Sequence, residues 1–163
     1  MIGKAITMIA AALALAAPAL AQDKPAAAKL SLTRLDCGTV RVNSQPFAHW
    51  ISGGGTVEPV ERDKDIFGDG RVVMLDMPGH TPGHHTLLVR LAGAGPVLLS
   101  GDQAHFQENY DSDGVPEFNT DRAETLASFD RFKGLAKNLG ATVIIQHEPR
   151  DVVKLPPFPK AAE

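Results

Sequence analysis

Two apolar runs bracket an eight-residue loop with two Pro-Gly pairs and three histidines, and no other feature constrains the fold as much. The loop is Pro78-Gly79-His80-Thr81-Pro82-Gly83-His84-His85. Val72 to Leu75 precede it and Thr86 to Leu91 follow it. Short apolar runs between turn residues read as buried strands. Gly79 and Gly83 permit a positive φ or a close backbone approach. Asp69-Gly70 marks a hairpin leading into the strand at 71–77. Gly93-Ala94-Gly95 then turns the strand at 86–91 into a third, at 96–100. Helical spacing over 120–139 places Leu126, Phe129, Phe132, Ala136 and Leu139 on one face. Asp121 with Glu124 resembles a capping box, and Gly140 stops the helix. Thr142 to Gln146 is a further buried strand. Leu30 to Val42 reads as an opening strand, 43–55 as loop and 57–60 as a short strand. Pro156, Pro157 and Pro159 predict an extended tail.

The remaining sequence sets the boundaries of this unit. Residues 1–21 read as a secretory signal: Lys4, an Ala-rich apolar run, then Ala19-Leu20-Ala21 before Gln22. Export across an inner membrane to a periplasmic or extracellular space is the expectation, with no membrane association after cleavage. Removing 21 residues from 163 leaves 142. Residues 22–29 read as a tether and 30–163 as one domain. With 44% hydrophobic and 21% charged residues, the composition is that of a globular chain. The net charge of -3 offers no footprint for nucleic acid. One cysteine, Cys37, excludes an internal disulfide framework and any cysteine-rich zinc module.

Strand direction turns these elements into a site. If 71–77 runs up, 86–91 runs down, 96–100 runs up, and the helix returns the chain so that 142–146 also runs up. The loops beyond the three upward strands carry His80, Asp102 and His147. Loops at carboxyl ends of strands are the usual ligand site of an α/β sheet. Two imidazoles and a carboxylate suit zinc or a similar divalent ion. Three unrelated polar residues at strand ends is the plainer alternative. His84 starts the descending strand on the same rim, where it can orient a ligand. His85 is expected on the opposite face in a structural role.

Met77 to His84 resembles the third metal motif of the metallo-β-lactamase superfamily. Leu98-Leu99-Ser100-Gly101-Asp102 resembles its bridging-aspartate strand, and Ile144-Ile145-Gln146-His147-Glu148 its last metal-histidine strand. The stretch 101–118 and the Pro-Phe-Pro ending look most like the N-acyl homoserine lactonase branch. The resemblance covers about residues 46–159 and implies the C-terminal half of a truncated αββα fold, a mixed α/β sheet with a flanking helix. It further implies a zinc-dependent hydrolase that opens lactone or ester substrates, acyl homoserine lactones among them. Two zinc ions in that family share a bridging hydroxide that attacks the lactone carbonyl. Carried over, His80 binds the first metal, His147 the second, and Asp102 bridges them and moves a proton to the leaving alkoxide. His105 falls where the branch often has a tyrosine that contacts the substrate carbonyl, and an imidazole can donate there too. His49 and Trp50 line an acyl pocket or are ordinary packed residues.

The family signature His-x-His-x-Asp-His is absent, since the six histidines at 49, 80, 84, 85, 105 and 147 form no His-x-His. Domains of this kind run to roughly 200–250 residues. An internal loss near Val42-Asn43-Ser44-Gln45 accounts for both observations. It leaves two protein ligands per metal where a catalytic zinc normally has three. His80, Asp102 and His147 around a single ion is one resolution. Loss of a sheet layer predicts an exposed apolar face on the strands at 71–77, 86–91 and 96–100, and with it self-association. Three alternatives to a lactonase stand beside it: an inactive remnant with a partial metal site, a superfamily hydrolase of thioesters, β-lactams or phosphodiesters, and a binding module resting on the glycines at 53–55.

Overall fold

A computed structural model describes residues 28–32 and 60–163. The signal segment, most of the opening strand, Cys37, His49, Trp50 and the junction near residue 43 lie outside the described residues. Five strands form one sheet: β1 (Lys64–Asp65), β2 (Val72–Asp76), β3 (His85–Leu91), β4 (Gly95–Leu99) and β5 (Thr142–Ile144). They lie in chain order, antiparallel from β1 to β4 and parallel between β4 and β5. Register pairs Leu75 with Thr86, Leu88 with Leu98, and Leu98 with Val143.

The hairpin at Asp69-Gly70 is present, with β1 as its first strand. Residues 57–59 are outside the described set and Val60 is in no strand. The turn is tied by Asp65, whose carboxylate accepts from the backbone N–H of Gly68 at 3.0 Å and of Gly70 at 2.7 Å.

Two helices follow β4: α1 (Gln107–Ser112) and α2 (Arg122–Leu139). The predicted ends of α2 hold. Asp121 accepts the N–H of Glu124 at 2.9 Å, and Gly140 closes the helix at φ 59°. Phe132 and Ala136 pack on Leu75, Met77, Leu88 and Leu98, with Val73 and Val143 at the margin. The buried stripe differs from the apolar one in the sequence. Thr125 and Ser128 are buried beside Phe129 and Phe132, whereas Leu126 is half-buried. Thr125 is satisfied by Asp121 O and Asn119 Nδ2, and Ser128 by the loop that carries His80. Ser128 Oγ donates to Pro78 O at 2.7 Å.

The second sheet face buries Val72, Val89, Leu91 and Val97, with Leu30, Leu32, Leu155 and Ala162 packed beside them. These four are not exposed as the sequence reading expects. Leu32 and Ala162 form an antiparallel bridge, and residues 149–154 form a 3-10 helix, so the tail is folded rather than simply extended. No helix among the described residues is long and apolar enough to cross a membrane.

Candidate metal centre

The carboxyl ends of β2, β4 and β5 do bring His80, Asp102 and His147 together. Asp102 stands between the two histidines. Its Oδ1 lies 2.7 Å from His147 Nε2 and its Oδ2 lies 3.6 Å from His80 Nε2. The two oxygens of one carboxylate thus face two different imidazoles. Burial pushes the Asp102 carboxyl up, but the hydrogen bond from His147 and the nearby imidazoles outweigh it and hold it below its usual range. His147 and Asp102 keep 53% and 42% of their side-chain surface, so the centre is open to a ligand from solvent.

Each loop is fixed by contacts that begin in sequence. Gly79 takes φ 128°, and a Cβ there would stand 2.3 Å from Thr125 N, inside the first turn of α2. The loop can therefore lie against the helix start only with glycine at this position. Asp121 N donates to Gly79 O at 2.9 Å, and Thr120 Oγ1 to His80 O at 3.0 Å. Gly101 takes φ 54°, and its Cβ would meet His84 Nε2 at 2.8 Å. Buried Ser100 ties the other two loops together: its N–H donates to Ile144 O at 3.0 Å and its Oγ accepts Gln146 N at 3.2 Å.

The hydrogen bonds also fix two histidine tautomers. Asp102 N donates to His84 Nε2 at 2.9 Å, so that nitrogen is an acceptor. His84 Nδ1 lies 2.9 Å from Met77 O and must carry the proton. Burial pushes the His84 imidazole below its usual range, consistent with this neutral form. For His80 the chain of donors runs further back. Thr125 Oγ1 donates to Asp121 O at 2.6 Å and accepts Asn119 Nδ2 at 2.9 Å. Asn119 Oδ1 therefore accepts from His80 Nδ1 at 3.0 Å, leaving the Nε2 lone pair aimed at Asp102. An imidazole held this way is set to bind a metal.

His105 joins the same cluster. Its ring stacks on His147, centroids 5.3 Å apart and 10° from parallel, and meets His80 edge-on at 5.4 Å. Ligand atoms of Asp102, His105 and His147 all lie within 4.8 Å of one another. His105 Nδ1 is buried and has no partner. Burial pushes this imidazole down despite the opposing charge of Asp102, so a neutral lone pair is available. A neutral histidine with a buried, unsatisfied nitrogen beside a carboxylate and a second imidazole is a donor set that fits zinc. His85 lies away from the cluster, with Nδ1 near Gly83 O at 2.9 Å.

Three contributors were not read from sequence. Asn119 orients His80, and no motif marks it. Phe118 sets its ring edge-on against His80 and His105, at 5.8 and 5.6 Å. Glu148, buried beside His147, accepts Gln107 N at 3.0 Å and Arg150 Nε at 2.7 Å. These bonds brace the loop after β5 against the start of α1.

Residues 39–147 match the metallo-beta-lactamase superfamily. The N-acyl homoserine lactonase AttM of Azorhizobium caulinodans is 32% identical over 115 residues, covering 61% of this chain and 44% of that protein. An N-acyl homoserine lactonase of a Bacillus species is 37% identical over 89 residues, covering 52% of this chain and 35% of that one. A solved N-acyl homoserine lactone hydrolase, with the product N-hexanoyl-L-homoserine at its catalytic metal center, superposes with a TM-score of 0.55 and 29% identity. That superposition covers 63% of this chain and 40% of the hydrolase. The chain thus spans less than half the length of the relatives it matches.

Proposed function

This chain belongs to the metallo-beta-lactamase superfamily, and from that premise we propose that it is a lactonase-like, zinc-dependent hydrolase of lactones or esters, acyl homoserine lactones among them. Its five-stranded mixed sheet and flanking helix are part of that fold, and its relatives are hydrolases. The observation that carries the proposal is the placing of Asp102 between His80 and His147, at 3.6 and 2.7 Å, beyond the ends of three strands.

Asp102 and His147 would hold metal, with His80 or His105 completing the set. When bound, the metal supplies a Lewis acid for the carbonyl and lowers the pKa of water. Asp102 serves a second purpose: a carboxylate accepts a proton and returns it to the leaving alkoxide. His84 holds the Asp102 backbone and Asn119 holds the His80 ring, so neither group must reorganise when substrate arrives. His105 serves either as hydrogen-bond donor to the substrate carbonyl or as a ligand.

A second reading is a remnant that binds metal without turnover, favoured by the absence of any His-x-His among the six histidines. One experiment separates the two. The zinc-loaded chain is incubated with an acyl homoserine lactone, a thioester and a β-lactam, and products are weighed by mass spectrometry. Ring-opened acyl homoserine, abolished by chelator, supports the lactonase. Cleavage of the thioester or β-lactam alone moves the substrate within the superfamily. Metal binding with no product in any arm selects the remnant. Export to the periplasm or beyond belongs to the same proposal, and cell fractionation tests it.

A further inference from the structure

Asp102 divides the cluster into two unequal halves. On the Oδ2 side stands His80, at 3.6 Å. On the Oδ1 side stands His147, at 2.7 Å, with the ring of His105 stacked against it. Among the described residues the first half offers two protein ligands and the second offers three. A zinc site with an open coordination position needs three.

We propose that a single metal ion sits in the second half, held by Asp102, His105 and His147, with His105 as a ligand rather than a contact to substrate. The proposal rests on the metal-dependent reading above. Ligand atoms around one tetrahedral zinc lie about 3.3 Å apart. The three groups are already within 4.8 Å of one another, so closing onto an ion requires only a small inward movement of side chains. His147 and Asp102 are both substantially exposed and free to make it. One ring nitrogen of His105, Nδ1, is buried without a protein partner. Buried polar atoms without partners are few in folded proteins, and ligation is one way in which an imidazole meets that requirement. His80 lies on the other side of the carboxylate: its Nε2 faces Oδ2, the oxygen turned away from His147, and it is not one of the three groups gathered within 4.8 Å.

Cobalt(II), a coloured stand-in for zinc, tests the assignment by titration of the full chain. His105→Phe keeps the stacked ring and removes the nitrogens; His80→Phe does the same at the other side. The proposal expects His105→Phe to weaken cobalt binding at least about 100-fold, at or beyond the 10–100-fold range of an outer-shell partner, and His80→Phe to weaken it about 10-fold or less. Loss in His80→Phe with His105→Phe unchanged overturns the proposal but leaves the metal-dependent reading standing. No binding by the unaltered chain overturns both. Should His105→Phe fail to fold, side-chain ¹⁵N spectra of the unaltered chain decide the matter. Zinc must shift ring nitrogens of His105 and His147 and leave Nε2 of His80 unmoved; a zinc-shifted His80 Nε2 with an unmoved His105 overturns the proposal.

Discussion

The backbone N–H of Asp102 donates to Nε2 of His84 across 2.9 Å, joining the loop after β2 to the loop after β4. His84 also reaches Met77 O at 2.9 Å, so one buried ring spans both loops. Replacing it with phenylalanine leaves the N–H of Asp102 and the carbonyl of Met77 without these partners. A buried group left unsatisfied costs about 1–3 kcal/mol. His84→Phe should lower the midpoint of urea unfolding by a corresponding amount. It should also weaken zinc binding although His84 is itself no ligand. Unchanged stability and affinity would show that the ring is dispensable.

Gly79 is the point where the His80 loop touches α2. An added methyl would meet Thr125 N at 2.3 Å at a φ of 128°. Neither the backbone of the helix start nor that conformation suits an L side chain. Backbone strain of this kind costs about 1–3 kcal/mol before the clash is counted. Gly79→Ala should therefore destabilise the chain by more than that and displace His80 from Asn119. Gly83→Ala is the control, since a Cβ there meets nothing within 4 Å. Equal denaturation curves for the two variants would refute the close-approach argument.

Glu148 predicts how stability depends on acid. Hydrogen bonds from Arg150 foremost, and from Gln107, hold its carboxyl down to about 2, against an ordinary 4.5. A carboxylate with a depressed folded pKa favours the folded state in full above its unfolded pKa. That contribution falls away as pH drops through 4.5 toward about 2. Asp102 and Asp63 are lowered too and act in the same direction. Glu148→Gln should be less stable than the unaltered chain at pH 7, and the gap should narrow steadily below pH 4.5. Melting curves across pH check this, and a gap that widens toward acid would reverse the assignment.

The parts legible in sequence are those where side chains carry the signal. β2, β3 and β4 are apolar runs between glycine turns, and α2 announces both ends through Asp121 and Gly140. Their directions alone placed His80, Asp102 and His147 on one rim. β1 escaped because Lys64 and Asp65 show no apolar alternation; backbone pairing with Val73 and Met74 makes it a strand. α1 escaped because Gln107 to Ser112 buries no residue, and so has no stripe to read. Thr125 and Ser128 face inward against their polarity because partners meet them there: Asp121 O and Asn119 for Thr125, Pro78 O for Ser128. Asn119 and the stacking of His105 on His147 depend on tertiary approach between segments far apart in the chain.

The central claim is that the Asp102 carboxylate organises a metal site in this chain. The direct measurement is zinc per chain after loading and gel filtration, made on the unaltered protein and on Asp102→Asn. The account predicts about one zinc in the first and under about 0.2 in the second, because asparagine lacks the negative charge and the second acceptor oxygen of the carboxylate. Under about 0.2 zinc in the unaltered chain, or full retention by Asp102→Asn, would contradict it.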